Sequence, residues 1–549
     1  MRLNVLLVAG GGFQGQSLVD AIRLGQDVRV IVADSVADNI GRFVADCYRV
    51  APPLSDERSF REFIEALVQE ERVDLVLPCT NRELVALASI RDSLEKLGAR
   101  VAVSERSLLD ILADKLAVYQ ALQAANIPVQ RVVPLTAEAT LPLFGKPRSG
   151  WGGIDTRTLR TAEDLNAINL VELASSHCWV PWLEHFEEVS ADFAIGFGRE
   201  ISRITLRRRV RTSGGFAVIS DSIHDESVHG IVREVADWLA HRGGVGIFNV
   251  QVLRGQDGAL YVSDINPRHG TSSGHAAAEG NHLVAFLMQG KQPEYIRPVR
   301  TVRELGMRAI PLPEGTAWAG VVFDLDDTLI DHKRWMMDRL RLASVAMASI
   351  VDAGSLLRAG YIAVEEGPHD RLIDIIVDRL GIPQHRDRLL EAYRSAVPAR
   401  AEVFPEVRDV LRELRRMGIR IGLLTDNPPA SQQAKLRAMD GMEQMFDAVV
   451  FSREHGGEKP GKQGFDEVAS RLGLPPSSLL MVGDHPWRDA IGALEAGYAA
   501  CMLVSRQGTR FNVNSALLGE VFFDVSPRIW SDRDLRALPF IFNHGKSGL

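Results

Sequence analysis

The chain has 549 residues and carries 63 Lys+Arg against 71 Asp+Glu, a formal net charge of −8. At roughly 100–200 residues per domain that length suggests three to five domains, and 46% hydrophobic with 24% charged residues is ordinary globular composition. The acidic balance argues against a nucleic-acid or anionic-membrane partner. Four scattered cysteines without a CxxC pair exclude a disulfide scaffold and suit a reducing, cytoplasmic setting.

In chain order, LNVLLVA (3–9) reads as a buried strand, followed by GGGFQGQ and a helix through Leu18, Val19 and Ile22. The opening apolar run is too short for a secretory signal, and no stretch approaches the ~18 apolar residues of a membrane span. VRVIVAD (28–34), VDLVLPC (73–79) and GARVAVS (98–104) add strands that alternate with helical segments, which predicts a parallel sheet with helices on both faces. A helix from about Ser107 carries DKLAVYQAL, and strand alternation returns at 141–146 and 246–266. The proline-containing stretch 289–318 reads as a linker or strap. From Gly320 a second α/β alternation begins: VVFD, a long helical region (334–416), then IRIGLLTD (419–426), DAVVFS (447–452) and SLLMVGD (478–484). Neither an internal repeat nor a low-complexity segment is evident.

In the second alternation Asp324 and Asp326 follow an apolar strand, where open α/β sheets collect ligands. Two carboxylates one residue apart can divide labour between attack and proton handling. Thr425 closes the next strand, Lys459 sits in EKPGKQGF, and Asp484 and Asp489 follow another strand. Only nine of the 63 basic residues are lysines, so a lysine kept at a motif position is informative. One cause would place all of these groups: a phosphoryl group at the sheet edge, its oxygens bound by hydroxyl and ammonium, with the acids holding Mg²⁺.

The set resembles the haloacid dehalogenase phosphatase superfamily over about residues 319–525. That resemblance implies Asp324 as nucleophile, Asp326 as general acid and then base, and Thr425 and Lys459 on the phosphoryl oxygens. It further implies Asp324, Asp326, Asp484 and Asp489 around Mg²⁺ (or Mn²⁺), and a helical cap near 332–403.

In the first alternation Gly10, Gly12 and Gly15 spell GxGxxG, with Asp34 closing the second strand. Alone this is a weak dinucleotide fingerprint, since any tight strand-to-helix turn favours glycine. Lys115 and Lys146, the latter before the glycine-rich RSGWGG, suit phosphate contacts to a nucleoside triphosphate under a glycine lid. Glu184, Glu188 and Asp192 form an acidic cluster, and Gln251, Asp264 and Asn266 could converge on Mg²⁺ from adjacent strands. Arg268 lies within reach of a transferred phosphate if the strand continues through Pro267.

Residues 1–295 resemble the ATP-grasp superfamily, in its carbamoyl-phosphate-synthase-like and amino-acid-ligase branches. The resemblance implies a Rossmann-like domain over 1–105, an ATP-grasp domain over 106–295, and ATP phosphates on Lys115 and Lys146. It also implies Glu184 or Glu188 at the adenosine end, Gln251, Asp264 and Asn266 around Mg²⁺, and Arg268 stabilising an acyl-phosphate transition state. Arg209 in RRRVRTSGG and Glu83 after CTN are candidate substrate contacts, Glu83 also suiting a helix cap. Two departures stand: this family more often has Glu at the position of Asp264, and the turn between Glu184 and Glu188 is short and lacks its glycine.

The expectation is therefore a multidomain α/β chain with a linker at 296–318 and a tail at 526–549. It would join an ADP-forming carboxylate–amine ligase to a Mg²⁺-dependent phosphatase acting on a small phosphorylated metabolite. Its partners would be small-molecule carboxylate and amine substrates, and homo-oligomerisation is left open. Two alternatives stay in play: a phosphatase regulated by a non-catalytic ATP-binding half, and a dinucleotide-dependent oxidoreductase fused to a phosphatase.

Overall fold

The structure, a computed structural model, describes residues 3–25, 28–150, 155–213, 216–304, 308, 310, 318–506, 508–509 and 528–544. Gly152 and Gly153 of the expected lid, Gly214 and Gly215, and much of the expected linker and tail lie outside these residues. The chain divides into two units, Met1–Met307 and Arg308–Leu549. Among the described residues no helix is long and apolar enough to cross a membrane.

In the first unit, β1 (Leu3–Val8), β2 (Val28–Asp34), β3 (Cys47–Val50), β4 (Leu75–Pro78) and β5 (Arg100–Val101) form a parallel sheet in the order β3-β2-β1-β4-β5. Its strands are apolar runs because side chains on both faces are buried, those of Val5 and Leu7 in one cluster and those of Leu6 and Val8 in another. Gly15 is required where helix Phe13–Gly25 closes on the turn after β1, since a Cβ there would meet the carbonyl oxygen of Gly10 at 2.0 Å.

A small antiparallel sheet of β6 (Leu143–Pro147), β7 (Arg157–Leu159) and β8 (His177–Pro181) follows, in the order β7-β6-β8. The largest sheet of this unit has β9 (Phe186–Ile195), β10 (Thr205–Ser213), β11 (Phe216–Ser222), β12 (Gly246–Gly255), β13 (Leu260–Asn266) and β14 (Arg300–Val302), ordered β13-β12-β9-β10-β11-β14. Part of the expected linker is thus an edge strand: Ile219, Ser220 and Asp221 of β11 pair with Val302, Thr301 and Arg300.

Alternation gives this sheet one apolar and one polar face. Val189, Ala191, Phe193, Leu206, Val250, Val252 and Ile265 pack on helix Glu226–His241 through Val228, Val232, Val235 and Leu239, which recur at helical spacing. The opposite face carries Glu188, Ser190, Asp192, Arg207, Arg209, Asn249, Gln251, Asp264 and Asn266, placed by the cross-strand register.

The second unit holds a parallel sheet of β15 (Gly320–Phe323), β16 (Arg420–Thr425), β17 (Ala448–Phe451), β18 (Leu479–Gly483), β19 (Ala500–Val504) and β20 (Ile529–Asp532), ordered β17-β16-β15-β18-β19-β20. Here the expected tail is corrected, because β20 is the sixth strand of the sheet. Trp530 stacks on Trp318 at 5.9 Å, and helix Leu538–His544 brings Phe542 edge-on to the same Trp318. Arg308 ties to Asp532 and Asp534 at 2.8 and 2.9 Å. Helices His332–Ala346, Ala353–Glu366, Leu372–Leu380 and Arg386–Ser395 form the expected helical insertion around a core that includes Met336, Leu340, Leu356, Ile376 and Leu389.

Candidate functional sites in the two units

In the second unit, chain order reverses between β15 and β18, so the loops leaving these two strands open a crevice at the sheet's C-terminal edge. Asp324 follows β15 and Asp484 follows β18, while Asp489 lies in the turn beyond. Oxygens of Asp324, Asp484 and Asp489 all fall within 4.8 Å of one another, and all three side chains are buried. Lys459 Nζ donates to Asp324 Oδ1 at 2.6 Å and to Asp489. Burial pushes the Asp324 carboxyl up to about 7, against the pull of Lys459 and with help from Asp489. Burial together with Asp489 and Asp324 holds Asp484 far above the carboxylate range. Burial would lower the Lys459 ammonium, but Asp324 and Asp489 outweigh it and raise it. Three buried carboxylates against one ammonium is a donor set that fits a hard divalent cation such as Mg²⁺.

Asp326 points elsewhere. Lys435 Nζ donates to both its oxygens at 2.6 and 2.7 Å, Gln432 and Asn427 donate to Oδ2 at 2.9 and 3.1 Å, and His332 Nδ1 is 3.3 Å away. Burial alone would raise this carboxyl, yet His332 and Lys435 hold it well below the usual range and keep it ionised. Thr425 ends β16 with its hydroxyl donating to the Asp426 carbonyl at 3.4 Å. Asp426 accepts from Ser452 Oγ at 2.7 Å and from the Lys459 backbone N–H at 3.0 Å, so it sets where Lys459 begins. Sequence reasoning missed Lys435, Gln432, His332 and Asp426. Lysine scarcity was the signal for Lys435, because Lys115, Lys146, Lys435 and Lys459 are four of only nine.

A cavity of about 940 Å³ rises from this floor to the helical insertion, lined among others by Asp324, Lys459, Asp484, Trp335, Tyr393 and Arg394.

In the first unit, Gln251 lies directly across from Asp264, and Asn249 across from Asn266, so Gln251, Asp264 and Asn266 share the polar face. The Asn266 side-chain amide donates to Asp264 Oδ2 at 3.1 Å. A register shift beyond Gln251 leaves Ser263 unpaired, and Lys146 Nζ from β6 meets it at 2.8 Å (Oγ) and 3.2 Å (carbonyl O), with Tyr119 OH also at 3.2 Å. Burial lowers the Lys146 ammonium, partly opposed by Asp264. One carboxylate and two amide oxygens suit an Mg²⁺ ion that arrives with the phosphates of a nucleotide, which supply further oxygens.

Lys115 opens helix Lys115–Ala124 and reaches the Gly150 carbonyl at 3.2 Å. Glu188 pairs with Arg209 at 3.0 Å on the sheet face, whereas Glu184 is exposed in the turn before β9. Burial lowers the Arg209 guanidinium and Glu188 opposes it. Further along the same two strands, Asp192 and Arg207 form a fully buried pair at 2.8 Å, a central feature that sequence reasoning passed over.

β13 ends at Asn266, so Arg268 does not continue the strand. Its guanidinium instead donates to Asn81 Oδ1 at 3.1 Å, to Asn266 Oδ1 at 3.3 Å and to the His269 carbonyl at 3.0 Å. It therefore bridges the polar sheet face and the β4 end, where β1 and β4 flank the switch point of the parallel sheet. Glu83 is buried at the start of helix Glu83–Lys96, accepts from the Thr80 hydroxyl and is raised by burial. Asp34 closes back on the glycine turn, its Oδ2 accepting Gly11 N–H at 2.8 Å and its Oδ1 Val36 N–H at 3.0 Å. His269 and His275 are interior hydrogen-bonders, to Ser17 at 3.2 Å and to Ser222 and Thr301 at 3.1 and 2.8 Å. All four cysteines are buried free thiols.

A family model described as haloacid dehalogenase-like hydrolase matches residues 318–497. The glyceraldehyde 3-phosphate phosphatase of Methanopyrus kandleri is 33% identical over 190 residues, which are 32% of this chain and 80% of that protein. The N-acylneuraminate-9-phosphatase of Homo sapiens is 28% identical over 207 residues, 34% of this chain and 83% of that protein. Among solved structures, N5-carboxyaminoimidazole synthetase from Staphylococcus aureus with ADP is similar at 18% identity and a TM-score of 0.44, over 56% of this chain and 83% of that one.

Proposed function

The chain belongs, through residues 318–497, to the haloacid dehalogenase-like hydrolase family, and from that premise we propose a phosphatase joined to an ATP-dependent carboxylate–amine ligase. The observation that carries the phosphatase assignment is Lys459 held between Asp324 and Asp489 beside Asp484. An Asp324 oxygen attacks phosphorus as the bond to the leaving oxygen breaks, giving an aspartyl-phosphate. Thr425 and Lys459 hold the phosphoryl oxygens. Asp326 gives a proton to the leaving oxygen, then takes one from the water that releases phosphate; the contacts to Lys435 and His332 favour its second role. Mg²⁺ held by Asp324, Asp484 and Asp489 would supply positive charge to the phosphoryl oxygens and to the crowded carboxylates, whereas the expected fourth ligand, Asp326, is turned away because Lys435, Gln432, Asn427 and His332 take both its oxygens.

For the first unit, the supporting observation is the polar sheet face that sets Lys146 against the strand carrying Asp264 and Asn266. There Lys115 and Lys146 contact ATP phosphates, and Gln251, Asp264 and Asn266 face its Mg²⁺. Glu188 or Glu184 takes the adenosine end, while Arg209 and Glu83 are the substrate contacts. ATP phosphorylates the carboxylate and an amine displaces phosphate, leaving an amide and ADP. The test is a screen for acceptor-dependent ADP release across amino acids and small acids, with products identified by mass spectrometry. ATP binding without turnover for any acceptor would favour the regulated-phosphatase alternative. The oxidoreductase alternative is tested by cofactor absorbance or fluorescence of the purified protein.

A further inference from the structure

The cavity above Asp324 is far larger than a phosphoryl group needs, at about 940 Å³, and its wall is built in an ordered way. Helix Arg386–Ser395 ends on it, and Arg339 secures that end. The Arg339 guanidinium donates to the carbonyls of Tyr393, Arg394 and Ala396 at 2.6, 3.1 and 3.0 Å, and lies 4.2 Å over the Tyr393 ring. The backbone that presents Arg394 is therefore fixed. Among the described residues, the exposed Arg394 side chain has neither an ion-pair partner nor a hydrogen-bond acceptor, and it borders the cavity. The other cations there are engaged: Lys459 and Lys435 with the catalytic carboxylates, Arg339 with carbonyls, and Arg488 with Asp426 at 3.3 Å. Asp370 and Ser431 also border the cavity and can accept from hydroxyl groups.

Resting on the phosphatase reading above, we infer that its substrate is a phosphate monoester whose leaving group carries a carboxylate that Arg394 binds, on a hydroxylated body of sugar-acid size. The phosphoryl end is held by Thr425 and Lys459, so the second anion must be met elsewhere. A planar guanidinium on a fixed backbone receives a carboxylate through two parallel hydrogen bonds. Hydrolysis would then release a hydroxy acid, whose carboxylate is the functional group that an ATP-dependent ligase activates.

The experiment compares size-matched esters on the full chain with Mg²⁺: 6-phosphogluconate against sorbitol 6-phosphate, with p-nitrophenyl phosphate as the general monoester. The expected result is a kcat/KM at least about tenfold higher for the gluconate, the order that one well-placed charge pair supplies. Arg394→Gln should collapse that ratio mainly through KM for the acid, and Arg394→Lys should restore it in part. A wild-type ratio at or below one, or a ratio that survives Arg394→Gln, overturns the inference and leaves the phosphatase assignment standing. Failure to hydrolyse all three esters overturns both.

Discussion

The candidate site residues of the second unit sit beyond strand ends, whereas most of those of the first stand on the face of a sheet. Their charge balance differs accordingly. Asp324, Asp484 and Asp489 crowd one ammonium, so ionising all three would leave an excess of negative charge for a divalent cation to offset, and burial with this crowding raises Asp324 and Asp484 without it. On the sheet face the charges are already matched, Asp192 by Arg207 and Glu188 by Arg209. Such a face gains little from a bare cation. It suits a ligand that brings its own counter-charge, as Mg-ATP does.

Removing one carboxylate from the crowded floor is the sharpest way to break the contrast. Asp324→Asn should lower aryl phosphate hydrolysis by roughly 10³-fold or more, because it removes the attacking atom, while acceptor-dependent ADP formation persists. Wild-type phosphatase turnover in that variant would refute the nucleophile assignment.

Beside the sheet face, where Arg268 bridges Asn266 to Asn81, Arg268→Ala should slow single-turnover ADP formation by roughly 10²-fold, the order seen for one charge-stabilising donor. Calorimetric ATP affinity should change little. A parallel fall in both would make Arg268 a structural bridge between Asn81 and Asn266, a role its three hydrogen bonds also allow.

Lys146→Ala or Asp264→Ala should weaken Mg-ATP binding by roughly tenfold, the low end of one charge-assisted contact at about 1.5–3 kcal/mol. Phosphatase turnover should be unaffected, since the two sites belong to separate units and share no residue. Unchanged ATP affinity in both variants would count against the ligase reading.

The smallest effect is expected at the β4 end. Thr80→Ala removes the hydroxyl that meets Glu83 and the Arg82 N–H, and should cost about 1 kcal/mol in denaturant titration, the order of one lost hydrogen bond. If Glu83 only caps the helix, Glu83→Gln will leave the acceptor KM unchanged. A rise in that KM would make Glu83 a substrate contact.

The same geometric difference explains what could be read from the residues alone. A strand-end site is written in contiguous segments, since the strand and its loop are neighbours in the chain. VVFDLDDTL, GLLTD and MVGD each announce a buried strand and the group it delivers. On a sheet face, every functional side chain alternates with one that belongs to the core. Glu188, Ser190 and Asp192 are interleaved with Val189, Ala191 and Phe193, which dilutes the motif. Alternation was enough to group Asp264 with Asn266. The Asp192–Arg207 pair depends on the register between β9 and β10, which no local pattern records. The clamp on Asp326 was hidden for a related reason, because His332, Gln432 and Lys435 lie 6, 106 and 109 positions away.

The residues by themselves determined the two α/β alternations, the strand-end acids, the lysines at 146 and 459 and the helical insertion. Each of these follows from local periodicity and from the side chain's own chemistry. Only the tertiary structure decided that Arg300–Val302 and Ile529–Asp532 are edge strands, that Arg268 turns back to Asn81, and that Asp326 is caged by Lys435. Short edge strands have too few residues to show a period, and they form only because a neighbouring strand offers unpaired backbone groups. A long side chain's partner is likewise chosen by whichever charge the fold brings within reach.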